Sequence, residues 1–112
     1  MNPIALFYVI VGLIAVAVSW PLIKRKIGPN CWYGIRIRAA FESEERWYEI
    51  NAHGGRWFRR WGLVVTGWGL AGLALPPGLW PAYAEVSPAV ILGGLAVVLI
   101  AIYRYARSLK KP

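Results

Sequence analysis

Cys31, Glu45, Glu49 and His53 are side chains whose types could do nucleophilic, acid–base or metal chemistry. On a helix, Glu45, Glu49 and His53 recur every four residues and share one stripe. A carboxylate and an imidazole placed that way could hold a divalent cation through Glu49 and His53. They could also move protons, with Cys31 as nucleophile. The spacing supplies no third ordered ligand and no visible nucleophile–base pair. One cysteine and one histidine also fall short of a structural zinc set. Metal binding or catalysis by this stripe is therefore the alternative reading. The leading expectation is a protein that is not an enzyme, with no catalytic residue and no cofactor.

A second set of residues offers recognition in place of bond-making. Asn30, Tyr33, Arg36, Glu45, Trp47 and Asn51 all fall between Gly28 and Gly55. Amide, phenol, indole and guanidinium groups woven together suit a packed cap, where they satisfy buried backbone and helix-end carbonyls. Arg36 would anchor a carboxylate, a phosphate or such carbonyls. Asn30 and Asn51 would bridge loop to helix.

The local elements follow from turn and cap chemistry. Gly28-Pro29-Asn30 is a turn signal, and residues 32–38 read as extended or irregular. Ser43 is a helix N-cap, with Glu44 and Glu45 suited to the positive end. That short helix is expected to run to about His53 and to end at Gly54-Gly55. Trp47, Ile50, Asn51 and Gly54 share one of its faces. Glu42, Glu45 and Glu49 are expected to pair with Arg36, Arg38, Arg46 or Arg56.

The rest of the chain is apolar. Hydrophobic residues make up 58% of the 112 and charged residues 16%, against about 45–50% and ~25% in soluble domains. Both departures point to one membrane domain covering residues 1–112. Residues 4–23 carry no charge, and a helix of that length covers about 30 Å, a bilayer's hydrocarbon thickness. Ala15-Val16-Ala17 resembles a signal-cleavage site. No Lys or Arg precedes the run, however, and Lys24-Arg25-Lys26 follows it, so a retained span is expected. A second span is expected over about 57–75, with Arg59 and Arg60 snorkelling and Pro76-Pro77-Gly78 as its stop. A third is expected over about 88–105, with Ser87 as N-cap and Pro88 at the first helical position. The expected fold is all-α: three transmembrane helices, with a short interfacial, cytoplasmic amphipathic helix between the first and second.

Charge orients this arrangement. Of the thirteen Lys and Arg, nine lie between Lys24 and Arg60, four in the tail (Arg104, Arg107, Lys110, Lys111) and none between Pro76 and Ser87. The positive-inside rule puts loop 24–56 and the C-terminus in the cytoplasm and the N-terminus outside. The net charge of +8 makes anionic lipid headgroups the expected partners of Lys24, Arg25, Lys26, Arg59 and Arg60. Nucleic acid is not expected, because the basic residues edge apolar runs and do not cover a soluble face.

The apolar runs 4–23, 61–75 and 89–103 hold no Asp, Glu, Lys, Arg or His, which argues against transporters, proton relays and voltage sensors. Gly67-Trp68-Gly69-Leu70-Ala71-Gly72 spells G-x-G-x-x-G but lies inside an apolar helix, so a dinucleotide site is rejected. Those glycines, and Ala89, Gly93 and Gly94, instead offer smooth surfaces for close helix contact. Packing within one bundle is the first reading and homo-oligomer formation the second.

Pro29-Asn30-x-x-Tyr33-Gly34-x-Arg36, then Ser43-x-Glu45-x-Trp47-Tyr48-x-x-Asn51, then Gly54 or Gly55, resembles the signature of SdpI-like proteins. Ile37-Arg38 and Ala40-Phe41 stand where that family commonly carries Thr-Pro and Thr-Leu. The resemblance implies a small multi-pass protein of a prokaryotic cytoplasmic membrane, with its signature in the loop between two spans. It implies a role like that of the family's immunity protein, which protects cells against a secreted toxin. The partners so implied are a toxin peptide or a regulatory protein. A small membrane scaffold subunit is a further alternative.

Overall fold

A computed structural model describes residues 1–109 and contains three long helices, with no strand among the described residues. Helix α1 spans Pro3–Ile23. The Asn2 side chain accepts from the Ile4 amide at 3.0 Å, and Pro3 starts the first turn, where its missing N–H costs nothing. The helix stops because Arg25 turns left-handed, at φ 57°. The amides of Arg25 and Lys26 then return to the Leu22 and Pro21 carbonyls at 3.2 and 2.9 Å, the Schellman arrangement.

Helix α2, Glu44–Leu73, corrects one expectation. Ser43 does cap it, accepting from the Arg46 amide at 3.0 Å, with Glu44 and Glu45 in the first turn. Gly54-Gly55, however, does not end it. Both glycines are buried inside one continuous helix of 30 residues. Tertiary contact overrides their weak propensity: a Cβ on Gly55 would stand 3.3 Å from Leu22 Cβ and the Ser19 carbonyl. The expected separate interfacial helix is therefore the first part of α2.

Helix α3, Trp80–Ser108, corrects another. Pro81 occupies its first turn, so the helix begins well before Ser87, and Pro88 lies in its interior. Ser87 does not cap. Its hydroxyl donates to the Tyr83 carbonyl at 2.6 Å and accepts from Trp68 Nε1 at 2.8 Å. Two short 3₁₀ turns, Arg38–Phe41 and Pro77–Leu79, complete the chain. The tail cations Lys110 and Lys111 lie outside the described residues.

Helix α2 is central, and α1 and α3 both pack on it, running antiparallel to it. Against α1, Gly12 meets Gly62 and Thr66, and Gly69 meets Ala5 and Val9. Against α3, Trp68 stacks on Tyr83 with centroids 5.3 Å apart, and Trp61 Nε1 donates to the Ile91 carbonyl at 3.0 Å. The result is 56 Å long and 23 by 18 Å across.

Along most of α1, small residues face inward and large apolar ones outward. Ala5, Gly12, Ala15 and Ser19 are the buried face of α1, whereas Phe7, Leu13 and Ile14 are exposed. Leu63, Val64 and Leu70 of α2 and Leu92, Leu99 and Ile100 of α3 also face outward. A soluble bundle buries its large side chains; helices packed in lipid bring small ones together. Two stretches, Pro3–Ile23 and Pro77–Ser108, are long and apolar enough to cross a membrane. Three spans are not shown: the apolar part of α2 follows Arg56, Arg59 and Arg60 within the same helix.

Candidate functional site

Segment 27–36 folds back beneath the helices and is stitched down by side chains. Asn30 makes the turn: its Oδ1 accepts from the Trp32 and Tyr33 amides at 2.8 and 2.6 Å, and its Nδ2 donates to the Gly28 carbonyl at 2.9 Å. Tyr33 Oη donates to the Val18 carbonyl of α1 at 2.6 Å. An Arg36 guanidinium nitrogen donates to the Cys31 carbonyl. Trp47 Nε1 donates to the Ile27 carbonyl at 2.8 Å.

Asn51 grips the middle of the segment. Its Oδ1 accepts from the Ile35 amide at 2.6 Å, and its Nδ2 donates to the Ile35 carbonyl at 3.3 Å and the Trp47 carbonyl at 3.0 Å. The amide side chain thus acts as a neighbouring strand would, satisfying both polar groups of one residue. Gly34 makes this approach possible. Its φ is +110°, and a Cβ there would sit 2.7 Å from Asn51 Oδ1 and 3.1 Å from the Trp47 ring.

Trp47, Ile50, Asn51 and Gly54 are all buried. They lie over a small core that joins Trp47 and Ile50 to Ala40, Val98 and Ile102, with Ile35 packed alongside. A cavity of about 200 Å³ remains among Val18, Leu22, Gly34, Ile35, Phe58 and Ile102. Its lining is apolar, with the signature segment as one wall.

Of the six residues expected to form the site, five converge on this segment: Asn30, Tyr33, Arg36, Trp47 and Asn51. Asn30 does not bridge loop to helix; its three bonds stay within the loop. Asn51, Trp47 and Tyr33 make the bridges. Glu45 stands apart, exposed in the first turn of α2. The ion pairs expected of Glu42, Glu45 and Glu49 do not form within 4.0 Å among the described residues. Gly34 belongs to the site and was missed as a site residue. Its signal was present, since a glycine inside an extended segment marks a close backbone approach.

The Glu49–His53 stripe has a different surrounding from the one a metal site needs. The His53 ring stacks on Tyr105 of α3, with centroids 3.8 Å apart and planes 8° from parallel. No group of three His, Cys, Asp or Glu side chains converges among the described residues. Cys31 is exposed. Burial, then the charges of Arg56 and Arg60, hold the His53 pKa below its ordinary value of 6.5; Arg104 of α3 lines the same cleft. A base with a lowered folded pKa binds fewer protons folded than unfolded, so its stabilising effect is present above pH 6.5 and is lost as pH falls through the folded value. Thermal melts from pH 7.5 down to 5 are expected to show this decline, and His53→Gln is expected to flatten it.

A sequence model of the SdpI/YfhL protein family matches residues 26–106. No curated protein and no solved structure matches the chain.

Proposed function

The chain belongs to the SdpI/YfhL protein family, and from that premise we propose that it protects its membrane against a toxic peptide without catalysing a reaction. The supporting observation is the extent of the match. It takes in the whole stitched segment, α2 and nearly all of α3. The protein would act by recognition at the face this segment forms, with Arg36 and the Asn51-held backbone as the contacting surface.

In this reading α2 also crosses, as the second of three spans. Its residues 55–69 lie alongside Val9 to Leu22 of α1, so they occupy the depth that α1 crosses. The N-terminus would be outside, and the stitched segment and C-terminus in the cytoplasm of a prokaryotic cell. Lys24, Arg25, Lys26, Arg59 and Arg60 would meet anionic headgroups. Lys26 lies 4.7 Å over the Trp20 ring and Arg60 4.8 Å over Trp57, a pairing suited to the interface.

Survival under toxin challenge tests the proposal, in cells with the gene, without it, and with Arg36→Ala at equal membrane abundance. Cells with the gene should survive concentrations that kill cells without it. Arg36→Ala should weaken protection about tenfold, the equivalent of one charge-assisted hydrogen bond. Equal survival with and without the gene removes the immunity reading. One observation favours a scaffold role instead: positions 67 and 93 have open space where a Cβ would stand, leaving smooth outer faces for a second copy or a partner helix. A mass in detergent above that of one chain would support it.

A further inference from the structure

Three arginines from three separate elements surround one cleft at the end of the molecule where α3 finishes. Arg38 comes from the first 3₁₀ turn, Arg46 from the start of α2 and Arg107 from the last turn of α3. The cleft holds about 440 Å³. Among the described residues its one acid is Glu42, and Ile37, Ile50 and Ala106 give it an apolar floor. Among the described residues, none of the three guanidinium groups donates a hydrogen bond or forms an ion pair within 4.0 Å. Unused guanidinium donors over an apolar floor match a ligand that is anionic at one end and greasy beside it.

The cleft also continues a track on the outside of α3. Leu92, Leu99 and Tyr103 are 63%, 50% and 52% exposed. With Arg107 they follow spacings of seven, four and four, so they lie on one helix face. An acyl chain lying along Leu92 and Leu99 would carry its headgroup past Tyr103 to the arginines. We infer that this cleft is a binding site for one anionic phospholipid, its phosphate held by Arg38, Arg46 and Arg107 and its chain running up α3. The inference does not rest on the protection reading: the site involves neither Arg36 nor Asn51.

The test is native mass spectrometry and quenching by brominated lipid, on the full chain in phosphatidylglycerol or phosphatidylcholine nanodiscs. One tightly retained phosphatidylglycerol is expected, and no retained phosphatidylcholine. The triple variant Arg38→Gln, Arg46→Gln, Arg107→Gln should bind it about tenfold to a hundredfold more weakly, since each cation near the surface counts separately. The control double variant Arg56→Gln, Arg104→Gln, at exposed arginines outside the cleft, should retain it. Equal losses in both would mean general surface charge and overturn the site. Displacement by millimolar inorganic phosphate would overturn the lipid in favour of a free anion. Should the triple variant fail to fold by circular dichroism, Glu42→Gln decides: removing the cleft's acid should tighten retention, and unchanged retention overturns the inference.

Discussion

Gly12→Leu is expected to dismantle the pairing of α1 with α2. A Cβ at position 12 would lie 2.5 Å from the Gly62 carbonyl and the Thr66 amide. Both are backbone atoms of α2, so no rotamer change can relieve the overlap, and the two helices must separate. Overpacking a core costs about 1–3 kcal/mol where side chains can yield. Here the close packing of small residues is itself what joins α1 to α2, because lipid competes equally well for the large ones. The expected loss is about 3 kcal/mol or more, which lowers the apparent Tm by about 10 °C or more for a domain of this size. Gly67→Leu is the matched control, since position 67 has nothing within 4 Å. Its melting temperature should stay close to the parent's. Fluorescence-detected size exclusion after heating in detergent reads both. A Gly12→Leu protein that melts with the parent would mean that α1 and α2 do not meet at this crossing.

The same contact explains why part of the fold was legible and part was not. The 20 uncharged residues of 4–23 announce a helix, and α1 forms within one residue of those bounds. Ser43 with two following acids marks the start of α2 for reasons that are local to the chain. Gly54-Gly55 misleads because its effect is not local. Glycine ends a helix when the backbone turns left-handed there, but it continues one when another helix needs its bare surface, and only the neighbour decides. Ser87-Pro88 misleads similarly. The pair reads as a helix start, yet Pro81 supplies an earlier one, and Ser87 is buried against Trp68. A proline that follows a satisfied serine can sit inside a helix whose neighbours hold it.

For the site, residue types were more informative than residue roles. Asn30, Tyr33, Trp47 and Asn51 stand out because such side chains are costly to leave unpaired in an apolar chain. Which carbonyl each would meet depends on how segment 27–36 folds back, and spacing does not encode that. Asn30 and Asn51 look equivalent in sequence. One is a local turn-maker, and the other holds Ile35 from sixteen residues away. His53 shows the reverse limit: its four-residue spacing from Glu49 is real, but Tyr105, far along the chain, occupies its ring face.

Asn51→Ala should therefore release the segment without unfolding the helices. The Ile35 amide and carbonyl would both lose their Asn51 partner, while the Trp47 carbonyl keeps its helical one. Each buried polar group left unsatisfied costs about 1–3 kcal/mol, and water entering the half-buried loop returns part of it. A net loss of about 2–4 kcal/mol follows, concentrated on the segment because only the Tyr33 and Trp47 side chains then tie it to the helices by hydrogen bonds. Local opening should become about 30-fold or more frequent, with α1 to α3 still helical. Trypsin distinguishes this from global unfolding. Arg36 and Arg38 lie in or beside the segment, so cleavage there should accelerate while circular dichroism at 222 nm is unchanged. Gly34→Ala should do the same by a different route, through strain at φ +110° and contact with Asn51. Combining the two should add little, since both break one junction. Additive acceleration would instead mean that Gly34 and Asn51 hold the segment independently, and an unchanged cleavage rate in Asn51→Ala would remove Asn51 as the grip on the segment.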